Sequence, residues 1–127
     1  MIVTEPKTIL DFRYKLERAL AYTKTHTIGD VADELRTGNA QLWLHGDGLL
    51  ITQIEDKPRE RILVMWLAAG DMDDVLLLRA EAEEWSVGVG CTRGTMVGRR
   101  GWRKALAGTG WEPRDDLTVF EKDLGDG

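Results

Sequence analysis

The chain is short of cysteine, proline, tyrosine, basic charge and long apolar runs, and each shortage removes a class of protein. One cysteine, Cys91, forbids an intrachain disulfide and suits a reducing compartment. Three prolines among 127 residues, with 43% hydrophobic and 31% charged, exclude collagenous and disordered compositions. The longest uncharged apolar stretch, Ile62 to Gly70, is nine residues, under half of the roughly 20 that span a bilayer. Lys and Arg number 17 against 22 Asp and Glu, for a net charge of −5, which argues against general binding to nucleic acid or anionic membranes. The first residues lack the charged, apolar, small-residue order of a signal peptide, so a cytoplasmic location is expected.

What is present reads as one α/β (α+β) domain over 1–127, at the commonest domain size. A helical part fills 1–39, a sheet with two helices fills 40–124, and 125–127 is expected to fray. Thr8 and Asp11 have capping-box spacing before a helix carrying Ile9, Phe12, Leu16 and Leu20 on one face. Thr27 and Asp30 repeat that spacing before Val31 and Leu35, and Gly38-Asn39 ends the second helix. From Ala40 the period falls to two, with Gln41, Trp43 and His45 on one side and Leu42 and Leu44 on the other. His45-Gly46-Asp47-Gly48 then predicts a hairpin turn, and the return strand covers 49–55.

The unbroken run Ile62-Leu63-Val64-Met65-Trp66-Leu67 suits a strand buried on both faces. Asp71 is placed to cap a helix reaching about Trp85, with Asp73 and Asp74 in its first turn and Val75, Leu78 and Ala82 on its apolar stripe; Glu81, Glu83 and Glu84 are expected to be solvated. A strand over 91–97, a helix from Arg100 to Ala107 and a last strand over 117–122 complete the order ααβββαβαβ.

Glu84-Trp85 before Gly90-Cys91, then Gly98-Arg99-Arg100-Gly101-Trp102-Arg103-Lys104-Ala105-Leu106 and Gly110-Trp111, resemble the small GNAT-like (N-acetyltransferase fold) proteins of tailed bacteriophages. The resemblance covers about 40–124. It implies a mixed, mostly antiparallel sheet flanked by helices, with the first strand reduced or absent. In that acyl-CoA N-acyltransferase superfamily a glycine-rich loop after the central strand holds the acetyl-CoA pyrophosphate on backbone N–H groups and a helix N-terminus. Here that place reads Leu67-Ala68-Ala69-Gly70-Asp71-Met72-Asp73-Asp74, with one glycine, no arginine or glutamine, and three carboxylates. Each charge 4 to 6 Å from a pyrophosphate costs on the order of 2 to 4 kcal/mol at an effective dielectric near 20. The resemblance also implies a tyrosine general acid four residues before Gly110-Trp111, where this chain has Leu106; its two tyrosines are Tyr14 and Tyr22. No catalytic residue is therefore assigned. If an acyl-CoA site persists, Val64, Trp66, Ala69, Gly70, Asp71 and Met72 would line it.

Other constellations are weaker. Gly88-Val89-Gly90-Cys91-Thr92-Arg93-Gly94 misses a dinucleotide fingerprint by one residue and follows a helix. His26, His45 and Cys91 have no metal-site spacing, and a Cys91–His45 nucleophile pair needs the fold to bring them together. Arg93, Arg99, Arg100, Arg103 and Lys104 cluster around Trp102 without acids; such a cluster suits phosphate or nucleic-acid contact or a protein-binding surface, and Arg99, Arg100, Trp102, Arg103 and Lys104 are assigned to a protein partner. The resulting expectation is a noncatalytic GNAT-like phage protein without cofactor or metal, binding other proteins, virion components included, during virion assembly or within the particle. Its location would be the host cytoplasm or the virion. The alternative is an acyl-CoA-dependent N-acyltransferase with a non-standard donor loop.

Overall fold

Thr27 illustrates how local chemistry sets the frame. Its extended backbone lets the side chain accept from the Asp30 N–H at 3.2 Å, while the Asp30 carboxylate accepts from the Thr27 N–H at 2.8 Å. This reciprocal pair satisfies donors that the first helical turn leaves over. In the computed structural model, which describes residues 2–3, 12–23 and 25–125, it starts the helix α2 (Ile28–Arg36). The order is β1 (Ile2–Val3), α1 (Arg13–Thr23), α2, β2 (Gln41–His45), β3 (Gly48–Lys57), β4 (Glu60–Gly70), α3 (Met72–Gly88), β5 (Arg93–Met96) and α4 (Gly101–Ala105). The capping box expected at Thr8 and Asp11, and Ile9, lie outside the described residues.

The five strands stand in sequence order, antiparallel from β1 to β4 and parallel between β4 and β5. A parallel pair needs a crossover, and α3 supplies it. Alternation then divides the side chains between two cores. Leu42, Leu49, Ile51 and Leu67 pack under Leu16 and Leu20 of α1 and Val31 and Leu35 of α2. On the other face Trp43, Leu50, Leu63 and Met65 pack under Leu78 and Ala82 of α3, with Cys91 closing the cluster. The indole of Trp43 in the second core is satisfied internally: its N–H donates to the Thr52 hydroxyl at 3.0 Å, and that hydroxyl donates to Gln41 Oε1 at 2.9 Å.

One irregularity positions everything that follows. Ile51 pairs with Leu67 and Thr52 with Met65, so Trp66 is an extra residue in β4. The bulge puts Trp66 and Leu67 both on the α1/α2 side, whereas Leu63 and Met65 face α3. It also coincides with the end of the β4–β5 ladder, whose last pair is Met65 with Met96. Beyond it β4 continues to Gly70 with β3 alone.

The first strand is reduced, as expected, to the two residues of β1. Four expectations are corrected. The helix α3 runs past Trp85 to Gly88, and Cys91 lies outside β5 because its N–H bonds back to the Ser86 carbonyl at 2.9 Å. Glu83 is half-buried: its carboxylate pairs with Arg79 and accepts from the Trp111 indole N–H at 3.1 Å. The last strand over 117–122 does not form. Leu117, Val119 and Phe120 are 63%, 69% and 91% exposed, and β-branched, apolar residues make a strand only where a ladder partner and a surface to cover are supplied.

Candidate functional site

The junction of β4 and α3, beside the bulge, gathers most of the unusual geometry. The turn between β2 and β3 is seated against the first turn of α3. Asp71 caps α3 by accepting from the Asp74 N–H at 3.2 Å. The Asp74 carboxylate turns outward to accept from the Asp47 N–H at 3.1 Å and lies 3.8 Å from His45 Nε2. The Asp71 N–H in turn donates to the Asp47 carbonyl at 3.3 Å.

Such close seating needs small residues. A β-carbon on Gly48 would stand 2.7 Å from that of Asp74, and Gly70, at φ +95°, faces the Asp47 carbonyl where a β-carbon would overlap it. The two acids thus occupy the positive end of the helix and clamp the hairpin to it. Asp73 stands exposed beside them.

The residues assigned to an acyl-CoA site fall into three places. Val64 is inside the sheet, paired with Gln53 and Thr95. Trp66 sits at the bulge, half-buried, with the His26 ring edge-on at 4.9 Å between centroids. Ala69 packs on the α1/α2 core, and Gly70, Asp71 and Met72 form the exposed entrance to α3. From Trp66 to Gly70 no strand among the described residues pairs with the side of β4 opposite β3, leaving a bare backbone edge above the end of β5.

Of the residues assigned to a protein partner, Arg99, Arg100, Arg103 and Lys104 are exposed along α4 and its approach, and Trp102 is half-buried. Leu106 is buried at 8% exposure, as its inward orientation required. Arg103 reaches Asp115 at 2.5 Å, so α4 is fastened to the loop that follows it. Arg93, the first of the basic cluster, pairs with Glu60 at 2.7 Å instead.

The opposite end of α3 carries a cleft of about 440 Å³ between Glu83, Val87, Cys91, Arg93 and Trp111. Burial pushes the Cys91 thiol above its ordinary range, with the Arg61 charge opposing the shift, so the thiolate is disfavoured. Cys91 follows the C-terminal end of α3 and His45 lies at its N-terminal end, about 25 Å apart along a helix of this length. The fold keeps that candidate pair separate. Among the described residues no cluster of His, Cys, Asp and Glu forms a metal site, and no helix is long and apolar enough to cross a membrane.

Sequence reasoning missed three features of the site. The bulge left no trace because every residue around Trp66 is apolar, so a shifted register looks the same. The contact of His26 with Trp66 joins positions 40 apart with no pattern between them. The docking of the hairpin on Asp74 did have a signal, the two glycines flanking Asp47, which mark close backbone approach as well as a turn.

No protein-family model matches this chain, and no curated protein matches it in sequence. Solved structures do match in shape. A probable acetyltransferase superposes with a TM-score of 0.73 at 9% identity, over 100% of this chain and 99% of the other. An acetyltransferase of Trypanosoma brucei gives 0.68 at 14%, over 98% and 97%. An aminoglycoside acetyltransferase from an uncultured soil sample, solved with sisomicin, gives 0.65 at 11%, over 98% and 95%. The fold is GNAT-like, as the sequence resemblance implied, and at these identities the likeness is one of fold.

Proposed function

We propose that this GNAT-fold chain acts by binding other proteins and does not transfer acyl groups from acetyl-CoA. One observation carries the reading: the entrance to α3 is already occupied by its own carboxylates. A pyrophosphate brought to this helix N-terminus would meet the Asp71 carboxylate, which caps the helix, and the Asp74 carboxylate, which holds the hairpin, with Asp73 exposed beside them. The residues present are a poor fit for that group. Leu106, buried where the family's general acid would stand, has no proton to give.

The surface offered to a partner is α4, with the cations Arg99, Arg100, Arg103 and Lys104 around the half-buried Trp102. Cations flanking an aromatic ring suit an acidic protein face. The phage-like segment from Gly98 to Leu106 is what supports a role in virion assembly or structure. The competing reading, an acyltransferase with a non-standard donor site over 64–74, draws on the bare edge of β4 beyond Met65, which offers backbone groups to an extended ligand.

Thermal unfolding with and without acetyl-CoA separates the two. Ligand at a hundredfold over its dissociation constant adds about 2.7 kcal/mol, or roughly 8 to 15 °C for a domain of this size. The expected result is no shift at millimolar acetyl-CoA; a shift of that order overturns the proposal. Arg99, Arg100 and Lys104 changed together to Glu should abolish capture of acidic partners while leaving the melting temperature in place. Absence of the protein from purified particles and assembly intermediates would remove the virion role.

A further inference from the structure

The strand expected over 117–122 and the outer edge of β5 are two halves of a pair that one copy of the chain leaves unmade. β5 is the last strand of the sheet, with β4 on one side and, among the described residues, no strand on the other. Its Gly94, Thr95 and Met96 carry no charge that would blunt the edge. The segment from Leu117 to Leu124 belongs to no helix or strand and exposes Leu117, Val119, Phe120 and Leu124 at 63%, 69%, 91% and 85%. Apolar side chains gathered in so short a stretch mark a surface that is normally covered.

Among the described residues nothing covers it internally. Trp111 is seated on Gly94, where a β-carbon would come 2.7 Å from its ring. The backbone then turns at 114–117, with the Leu117 N–H donating to the Arg114 carbonyl at 3.2 Å. The ion pair of Arg103 with Asp115 at 2.5 Å holds that turn on α4, and Arg114 with Asp116 at 2.8 Å braces it from within. The segment therefore starts from α4 without joining the β5 of its own sheet.

We propose that a second copy of this chain completes the pair: residues 117–122 of each copy add as a strand to β5 of the other, in a two-fold symmetric exchange. Donor and acceptor are present on the same molecule, so a second copy satisfies both edges at once and the contact closes on itself. Six residues extend over about 20 Å, enough to run the whole four-residue edge of β5. Alternation puts Leu117 and Val119 on one face and Phe120 on the other. Met96 and Trp111, which belong to the α3-side core and are half-buried, provide an apolar shelf beside that edge. Symmetry doubles the apolar contribution, in the direction of the roughly 1,200 to 2,000 Å² that stable interfaces bury.

Light scattering coupled to size exclusion, with sedimentation, reads the mass directly. The expected species is twice 14.3 kDa. Val119→Pro, which removes a ladder donor at an exposed site, and Phe120→Asp should each weaken the dimer at least about tenfold while leaving the circular dichroism of the fold intact. Disulfide trapping then tests the pairing in a Cys91→Ser background. A Thr95→Cys chain mixed with a Val119→Cys chain should give covalent heterodimers. A monomer at the highest soluble concentration, a dimer indifferent to Val119→Pro, or a Thr95→Cys, Val119→Cys double variant that closes only within one chain would each overturn the proposal.

Discussion

Between Ala40 and Cys91 the strands and α3 bury a side chain at almost every turn of their pattern, whereas from Thr92 to Gly125 only Leu106 is buried. The second stretch is poorer in apolar residues but about as rich in β-forming ones. What further separates them is length of engagement: β3 and β4 pair over ten positions and are covered on both faces, while β5 pairs over four and, among the described residues, carries no strand beyond it. Burial is a property of paired surface, and a segment without a partner keeps its apolar side chains in water.

The largest test of this contrast is a pair of truncations. Leu63→Ala, at 1% exposure under α3, should cost about 2 to 5 kcal/mol. Val97→Ala, at 90% exposure just past β5, should stay within about 0.5 kcal/mol. Urea unfolding with an unchanged slope checks both. Comparable losses at the two sites would mean that the second stretch is packed after all.

Next in size is the buried polar chain of the first stretch. Thr52→Val keeps the shape but deprives the Trp43 indole N–H of its acceptor, and should cost about 1 to 3 kcal/mol. Gln41→Ala leaves the Thr52 hydroxyl able to accept from Trp43 and should cost less. The order of the two losses, again by urea unfolding, is the check.

These same particulars mark how far the sequence could be read. Thr27 with Asp30, the turn at Gly46-Asp47 and the Asp71 cap are local: each depends on residues within a few positions, and each forms as the spacing required. The side-chain alternation of β2 also stands, with Leu42 and Leu44 against α1 and α2 and Trp43 against α3. The exceptions are all matters of partnership across the chain. Glu83 looked like one more solvated acid until Trp111 was folded onto it. Leu117 to Lys122 has strand chemistry and no ladder, because alternation reports which side chains agree with one another and nothing about who pairs with them. The same holds at the candidate site. Gly70 and Asp71 could be placed at the entrance to α3 from spacing, but the hairpin clamped there by Asp74 required the third dimension.

A smaller effect probes the local chemistry itself. Thr27→Ala should destabilise by about 1 kcal/mol through loss of the α2 cap. It should also change the response to acid. The Thr27 backbone N–H holds the Asp30 carboxyl below its usual value, with the Thr27 hydroxyl adding to the effect. A carboxyl lowered in the folded state gives stability that is fully present above its unfolded pKa, and loses it as pH falls through the lower folded value. Melting curves between about pH 5 and pH 2 should therefore fall less steeply in Asp30→Asn than in the unaltered chain. Equal slopes would mean that the box forms too weakly to bias protonation.

The smallest expected effect is the most pointed for the comparison. Arg103 and Asp115 are 58% and 68% exposed, so their ion pair is screened, and Arg103→Ala should change monomer stability by less than about 1 kcal/mol. The pair nevertheless fixes where the segment after it begins, because the turn at 114–117 is short and is fastened to α4 at this point. An interaction with little weight in stability can still select among positions of an exposed loop. Hydrogen exchange across 117–122 in the dilute monomer is the measurement. The amides there should exchange fast in both forms, with the variant shifting protection only at Leu117. If Arg103→Ala instead slowed exchange through Lys122, the released segment would have found the edge of its own β5, and the difference between the two stretches would rest on one surface ion pair.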